Sequence, residues 1–244
     1  MAFRDRRDAG RRLAALLVGG TGPTESTGST GSTRWRTERP VVMGMARGGV
    51  PVAFEVAAAL DAPLDVVVVR KLGHPRQPEL GLGAIGEDGV RVVNAALVEQ
   101  LEVTRDVLDD VTARQSTELE RRLRVYRGGR APFPVEGRTA IVVDDGLATG
   151  FTARAAIEVM RRRSAARVVL AVPVGPPDAV EALGTVADEV VCVDTTTRFF
   201  GLSEWYEDFD QVSDEEVARL LALAAATGRG AGPGAGPGAG PGAS

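Results

Sequence analysis

The stretch Ala140-Ile141-Val142-Val143-Asp144-Asp145-Gly146-Leu147-Ala148-Thr149-Gly150-Phe151-Thr152 decides the fold. Its first four residues are an apolar, largely β-branched run, as in a strand buried on both faces. Two aspartates end the run, glycines punctuate a turn, and a helical pattern follows. In a doubly wound sheet the ligand crevice lies beyond the carboxyl ends of the strands, so Asp144 and Asp145 face a site. Backbone N–H groups in a turn that leads into a helix cradle an anion. Thr149 and Thr152 add hydroxyl donors there, and Gly150 lets a phosphate approach closely. One aspartate is accounted for by capping the helix. Two of them, followed by Thr-Gly and a second threonine, exceed what a cap requires.

Outward from this stretch, apolar runs alternate with helical patterns. That is the signature of an α/β fold, a doubly wound parallel sheet with helices on both faces. Strands are predicted at residues 41–45, 64–69, 139–143, 167–172 and 189–193, and helices at 50–60, 104–126, 150–163, 177–183 and 214–223. Residues 81–93 read differently: two short strand-like runs flank Glu87-Asp88-Gly89, and Asp-Gly is a hairpin signal, so a small antiparallel extension is expected. Residues 1–18 read as a charged amphipathic helix that docks on the main domain, and 36–226 as that domain. Residues 19–35, rich in Gly, Ser and Thr, and 227–244, repeating Gly-Ala-Gly-Pro, offer little to bury and are expected to be a flexible insertion and a disordered tail.

A formal charge of −4 argues against a broad phosphate-gripping surface, so nucleic acid is not the expected partner. The single cysteine, Cys192, lies in an apolar run and is expected to pack as a small hydrophobe, which suits a reducing compartment. The charged opening does not resemble a secretory signal, and no apolar stretch is long enough for a membrane span, so a cytoplasmic location is expected. Gly81-Leu82-Gly83-Ala84-Ile85-Gly86 matches the dinucleotide fingerprint, but it runs into the Asp88-Gly89 turn instead of opening a helix, and is rejected.

A second polar loop follows the strand at 41–45. Ala46-Arg47-Gly48-Gly49 sets two unhindered backbone amides beside a permanent cation, which suits a polyanion. The only histidine, His74, stands in a polar loop soon after Lys71, where a solvated residue and a cover for the substrate are equally good readings. Trp205 and Tyr206 are expected to dock the terminal segment in preference to stacking on a base. The clusters Arg121-Arg122 and Arg161-Arg162-Arg163 are expected to solvate helix faces.

The segment Asp144 to Thr152 resembles the phosphoribosyl pyrophosphate signature of type I phosphoribosyltransferases. Val41 to Val50 resembles the family's pyrophosphate loop, and Arg70-Lys71 the point where a basic residue enters a loop over the active site. The resemblance implies that Asp144 and Asp145 bind ribose hydroxyls, directly or through metal-bound water, and that Gly146, Leu147, Ala148, Thr149, Gly150 and Thr152 hold the 5′-phosphate. It further implies that Ala46, Arg47, Gly48, Gly49 and Lys71 meet the pyrophosphate, with Arg47 and Lys71 stabilising the leaving group and Mg2+ assisting. The peptide at Ala46 to Arg47 is often cis in such proteins. The implied reaction replaces pyrophosphate by a nitrogenous base. Enzymes acting on 6-oxopurines usually carry aspartate where this chain has Ala148, which weighs against hypoxanthine or guanine. A regulator that binds the same ligand without transfer chemistry is the alternative, and a homodimer is left open.

Overall fold

The computed structural model describes residues 3–19, 31–197 and 201–228. The predicted tail beyond residue 228 and most of the predicted insertion lie outside the described residues, as does Phe199-Phe200. The chain begins with α1 (Arg6–Gly19), α2 (Gly31–Glu38), β1 (Val41–Met45), α3 (Gly49–Leu60) and β2 (Leu64–Val67). There follow β3 (Val69–His74), β4 (Gln77–Gly86), β5 (Arg91–Val93), α4 (Ala95–Gln100) and α5 (Arg105–Arg127). The rest is β6 (Thr139–Val143), α6 (Phe151–Arg162), β7 (Arg167–Gly175), α7 (Pro177–Gly184), β8 (Glu189–Thr195), a short 3₁₀ turn (Leu202–Trp205) and α8 (Asp214–Ala226).

Five parallel strands form the main sheet in the order β2-β1-β6-β7-β8. Side chains alternate across it as a strand's period of two requires. Val42, Val66, Ile141, Val143, Val169 and Ala171 pack toward α1, α3, α5 and α8, whereas Val41, Met43, Ala140, Val142, Val168 and Leu170 pack toward α6 and α7. Burial on both faces explains why these strands read as continuous apolar runs. The N-terminal helix docks as expected: α1 lies on α3 so closely that a β-carbon on Gly10 would come within 2.9 Å of Val52 O and Glu55 Cβ.

Three expectations need correction. The strand expected over 64–69 divides at Val68, whose N–H donates to Glu87 Oε1 (2.8 Å) instead of continuing a ladder. β2 stays in the parallel sheet, and β3 joins β4 and β5 in a separate three-stranded antiparallel sheet. Its outer turn is as anticipated, with Asp88 (φ 57°) and Gly89 (φ 70°) both left-handed. The insertion, second, ends earlier than residue 35. α2 begins at Gly31, and Trp35 is buried, its Nε1–H donating to Leu17 O (2.8 Å). Trp35 docks the helix together with Arg34, which donates to Glu189 Oε2 (2.6 Å), and Glu38, which accepts from the Thr139 hydroxyl (2.9 Å). Third, Arg163 does not merely solvate a helix face, because it donates to Glu87 and Asp88 (both 2.7 Å). α4, capped by Asn94 through Leu97 N–H, was not anticipated.

Cys192 is half-buried and donates to Asp194 O (3.1 Å), and burial pushes its thiol up to about 11. Among the described residues no helix is long and apolar enough to cross a membrane.

Candidate active site

From β1 the chain winds to β2 on one side, and from β6 through β7 to β8 on the other. The switch between the two directions falls between β1 and β6, where Gly44 pairs with Val143. The ligand crevice of such a sheet is therefore at the ends of these two strands, and both polar loops read from the sequence open into it.

The loops touch. A β-carbon on Gly49 would come within 2.8 Å of Asp144 Cα, and one on Gly48 would overlap the carboxylate of Asp145. Any larger residue would force the first loop off the second, which is the physical demand behind Gly48-Gly49. The peptide joining Ala46 to Arg47 is cis, and Ala46 N–H donates to Val67 O (3.1 Å).

The acidic pair is asymmetric. Asp144 Oδ1 accepts the N–H of Asp145 (2.9 Å). Loss of water, and then the neighbouring charge of Asp145, raise the Asp144 carboxyl well above the ordinary carboxylate range. Asp145 is only 8% exposed. Its Oδ2 accepts from Arg6 Nε (2.8 Å), and its carbonyl accepts from the Tyr206 hydroxyl (2.6 Å), which burial pushes far up. Beyond the pair, Leu147 is buried and anchors the turn to β7 by donating its N–H to Val174 O (2.8 Å). Ala148 and Thr149 are exposed, and Gly150 takes φ 77° to start α6. As the N-cap, Gly150 has no side chain with which to cap that helix, and Thr152 lies half-buried in its first turn. Uncapped first-turn N–H groups have no partner within their helix and can meet an anion.

Arg47 Nη1 lies 3.8 Å from Asp214 Oδ1 at the start of α8. Asp214 also accepts from the Tyr126 hydroxyl (2.7 Å) and Arg121 Nη2 (2.8 Å). Burial works against its ionisation, but these hydrogen bonds hold its carboxyl below the usual range. Arg70 donates to Gln115 Oε1 (2.9 Å). Burial first, then the charge of Arg122, lowers its pKa.

The structure thus brings Gly48 and Gly49 against Asp145 and Asp144, with Ala46 and Arg47 next to them in the first loop and the turn from Gly146 to Thr152 following the pair. It does not bring Lys71 there. That ammonium lies on Glu79, because successive residues of β3 point to opposite faces and Arg70 takes the inner one. His74 sits at the β3–β4 hairpin, where Nδ1 accepts Arg76 N–H (3.2 Å). Trp205 and Tyr206 dock the C-terminal segment, with the Tyr206 ring 5.5 Å from Phe3 and 4.8 Å from Phe209. Arg6 and Asp214 were not anticipated, and of the pair Arg70-Lys71 the sequence reading chose Lys71. Among the described residues no three His, Cys, Asp or Glu side chains gather as a metal cage.

Residues 31–208 match the family model of the phosphoribosyl transferase domain. The chain belongs to this family. Two Mycobacterium tuberculosis proteins, of strains H37Rv and CDC 1551, carry phosphoribosyl transferase as a provisional name. Each is 50% identical over 219 residues, or 90% of this chain and 46% of its own length. The chain therefore spans about half the length of the curated relatives it matches. The crystal structure of TT1426 from Thermus thermophilus is 40% identical, with a TM-score of 0.71, covering 91% of this chain and 99% of that one. Membership in the phosphoribosyl transferase family gives the type I fold expected from Asp144 to Thr152, now with its two loops in contact.

Proposed function

We propose that the protein transfers 5-phosphoribosyl from phosphoribosyl pyrophosphate to a nitrogenous base, releasing pyrophosphate. The observation that carries this reading is the contact of two anion-accepting loops at the sheet's switch point, with an acidic pair where they meet. One ligand with a phosphate at each end of a ribose matches that arrangement. The turn from Gly146 to Thr152 takes the 5′-phosphate, Asp144 and Asp145 take ribose hydroxyls, and Arg47 with the amides of Gly48 and Gly49 takes the pyrophosphate.

In the reaction a base nitrogen forms its bond to the anomeric carbon as the bond from that carbon to pyrophosphate breaks. Negative charge grows on the leaving group, and donors already in place there lower the barrier. Arg47 supplies one such donor. Arg70, which bonds Gln115, is our candidate for a second in place of Lys71, whose ammonium lies on Glu79. Mg2+ bound to the diphosphate would share in neutralising that charge. The residues present fit an ion held mainly by ligand oxygens and water, which is magnesium's habit, with Asp144 and Asp145 as outer partners. Ala148 cannot exchange a proton with a purine N7, which favours acceptors other than hypoxanthine and guanine.

The test is to incubate the protein with phosphoribosyl pyrophosphate, Mg2+ and a panel of bases, and to measure pyrophosphate release beside calorimetric binding. Release that depends on one base supports the transferase. Tight binding with no release under any base would favour the regulator, and no binding would overturn both.

A further inference from the structure

Arg6 stands outside the span matched by the family model, and so do Phe209 and Asp210, which hold it. It belongs to the first turn of α1, and its guanidinium lies 3.9 Å over the Phe209 ring while Nη1 donates to Asp210 O (2.7 Å). Nε donates to Asp145 Oδ2 (2.8 Å), and the two side chains are each only 12% exposed. A cation held at three points, so little hydrated, fixes its partner in one orientation. Gly48 lies against the same oxygen, since a β-carbon there would overlap Asp145 Oδ2 and come within 2.9 Å of Oδ1. The carboxylate is therefore held between the N-terminal helix and the first anion loop, while the main chain of Asp145 is fixed by its N–H donating to Asp144 Oδ1 and its carbonyl accepting from the Tyr206 hydroxyl.

We propose that Arg6 is a positioning residue of the ribose subsite: by occupying Asp145 Oδ2 it leaves Oδ1 as the oxygen that accepts a ribose hydroxyl. The inference rests on the transferase reading. It assigns part of the site's geometry to chain segments that the family match does not contain. A structural strut would affect every ligand of the site alike, whereas a ribose-positioning residue affects only ligands that carry the ribose.

The experiment compares calorimetric affinities for phosphoribosyl pyrophosphate and for free pyrophosphate, both with Mg2+, in the full chain and in Arg6→Ala and Arg6→Lys. Loss of a hydrogen bond to a charged group predicts about tenfold or greater weakening for phosphoribosyl pyrophosphate in Arg6→Ala, with pyrophosphate held within about twofold. Arg6→Lys restores the cation and is expected to recover much of the loss. It also carries the comparison if Arg6→Ala does not fold in circular dichroism, again with the residual loss confined to the ribose ligand. Unchanged or tighter binding of phosphoribosyl pyrophosphate by the folded variants overturns the proposal, as does equal weakening of both ligands. If the unaltered protein fails to bind phosphoribosyl pyrophosphate, the transferase reading itself falls and this inference with it.

Discussion

Arg127 Nη1 donates to Glu87 Oε2 at 2.6 Å, with both side chains almost wholly withdrawn from water. The same carboxylate accepts from Val68 N–H (2.8 Å) and Arg163 Nη2 (2.7 Å). One buried charge thus ties α5, the end of α6 and the turn of the small sheet to the residue at which the chain passes between the two sheets.

Removing one partner of such a group leaves the other charged and unsolvated. Glu87→Ala is expected to lower stability by about 3 to 5 kcal/mol, read by urea denaturation. Replacing the exposed Arg130, whose Nε donates to Arg127 O (3.1 Å), should cost much less. Equal losses in the two variants would show that Glu87 is not the tie.

Asp144 gives a pH prediction. Its folded pKa is raised above the ordinary value of 3.8, so its contribution to stability is fully present below 3.8 and is lost as pH rises through the folded value. Above 3.8 the unfolded chain ionises this carboxyl more readily than the folded protein does, so at neutral pH the group costs stability. Asp144→Asn, which keeps an oxygen for Asp145 N–H, is expected to melt higher than the unaltered protein at neutral pH, with the difference vanishing below 3.8. The same variant should bind phosphoribosyl pyrophosphate more weakly, a site residue kept at a cost in stability. A melting temperature that falls at neutral pH contradicts the sign.

The two anion loops should separate by ligand. Thr149→Val is expected to weaken phosphoribosyl pyrophosphate and a nucleoside 5′-monophosphate alike, each by about 1.5 to 3 kcal/mol. Arg47→Ala should weaken phosphoribosyl pyrophosphate and free pyrophosphate while sparing the monophosphate. Titrating the three ligands at fixed Mg2+ checks this. Equal harm to monophosphate and pyrophosphate in Arg47→Ala would remove the pyrophosphate role from that loop.

Gly48 and Gly184 form a contrasting pair. A methyl group on Gly48 would displace the carboxylate of Asp145, so Gly48→Ala is expected to lose affinity for phosphoribosyl pyrophosphate. Gly184, at the end of α7, has open space around it. Gly184→Ala should leave affinity unchanged and raise stability by about 0.4 to 1 kcal/mol through the unfolded chain. Thermal melting and one binding titration for each variant decide the matter.

The acidic pair and the Gly48-Gly49 loop were legible because each follows an apolar run, and a buried strand can end in such residues only at a site or a turn. Arg6 was not legible. Arg4, Arg6, Arg7, Arg11 and Arg12 share one amphipathic stretch, and only the folded position of Asp145 singles out one of them. The choice between Arg70 and Lys71 was hidden for a related reason. Which of two neighbours faces inward depends on where β3 starts, and that start is set by Glu87, distant in sequence from Val68 but bonded to it. Long-range polar contacts, unlike apolar periodicity, leave no local pattern.

Phe3 and Tyr206 lie side by side as a parallel bridge, Phe3 N–H donating to Trp205 O (2.7 Å) and Glu207 N–H to Phe3 O (2.8 Å). Both sheets are threaded between these two residues. On the ribosome the parallel sheet can therefore be complete while Phe3 still waits for its neighbour, and until residues 205–210 emerge Arg6 lacks the ring and the carbonyl that hold it. The nascent chain can thus make every strand before the clamp on Asp145 closes, and Val217, Leu220 and Leu221 of α8 complete the core later still.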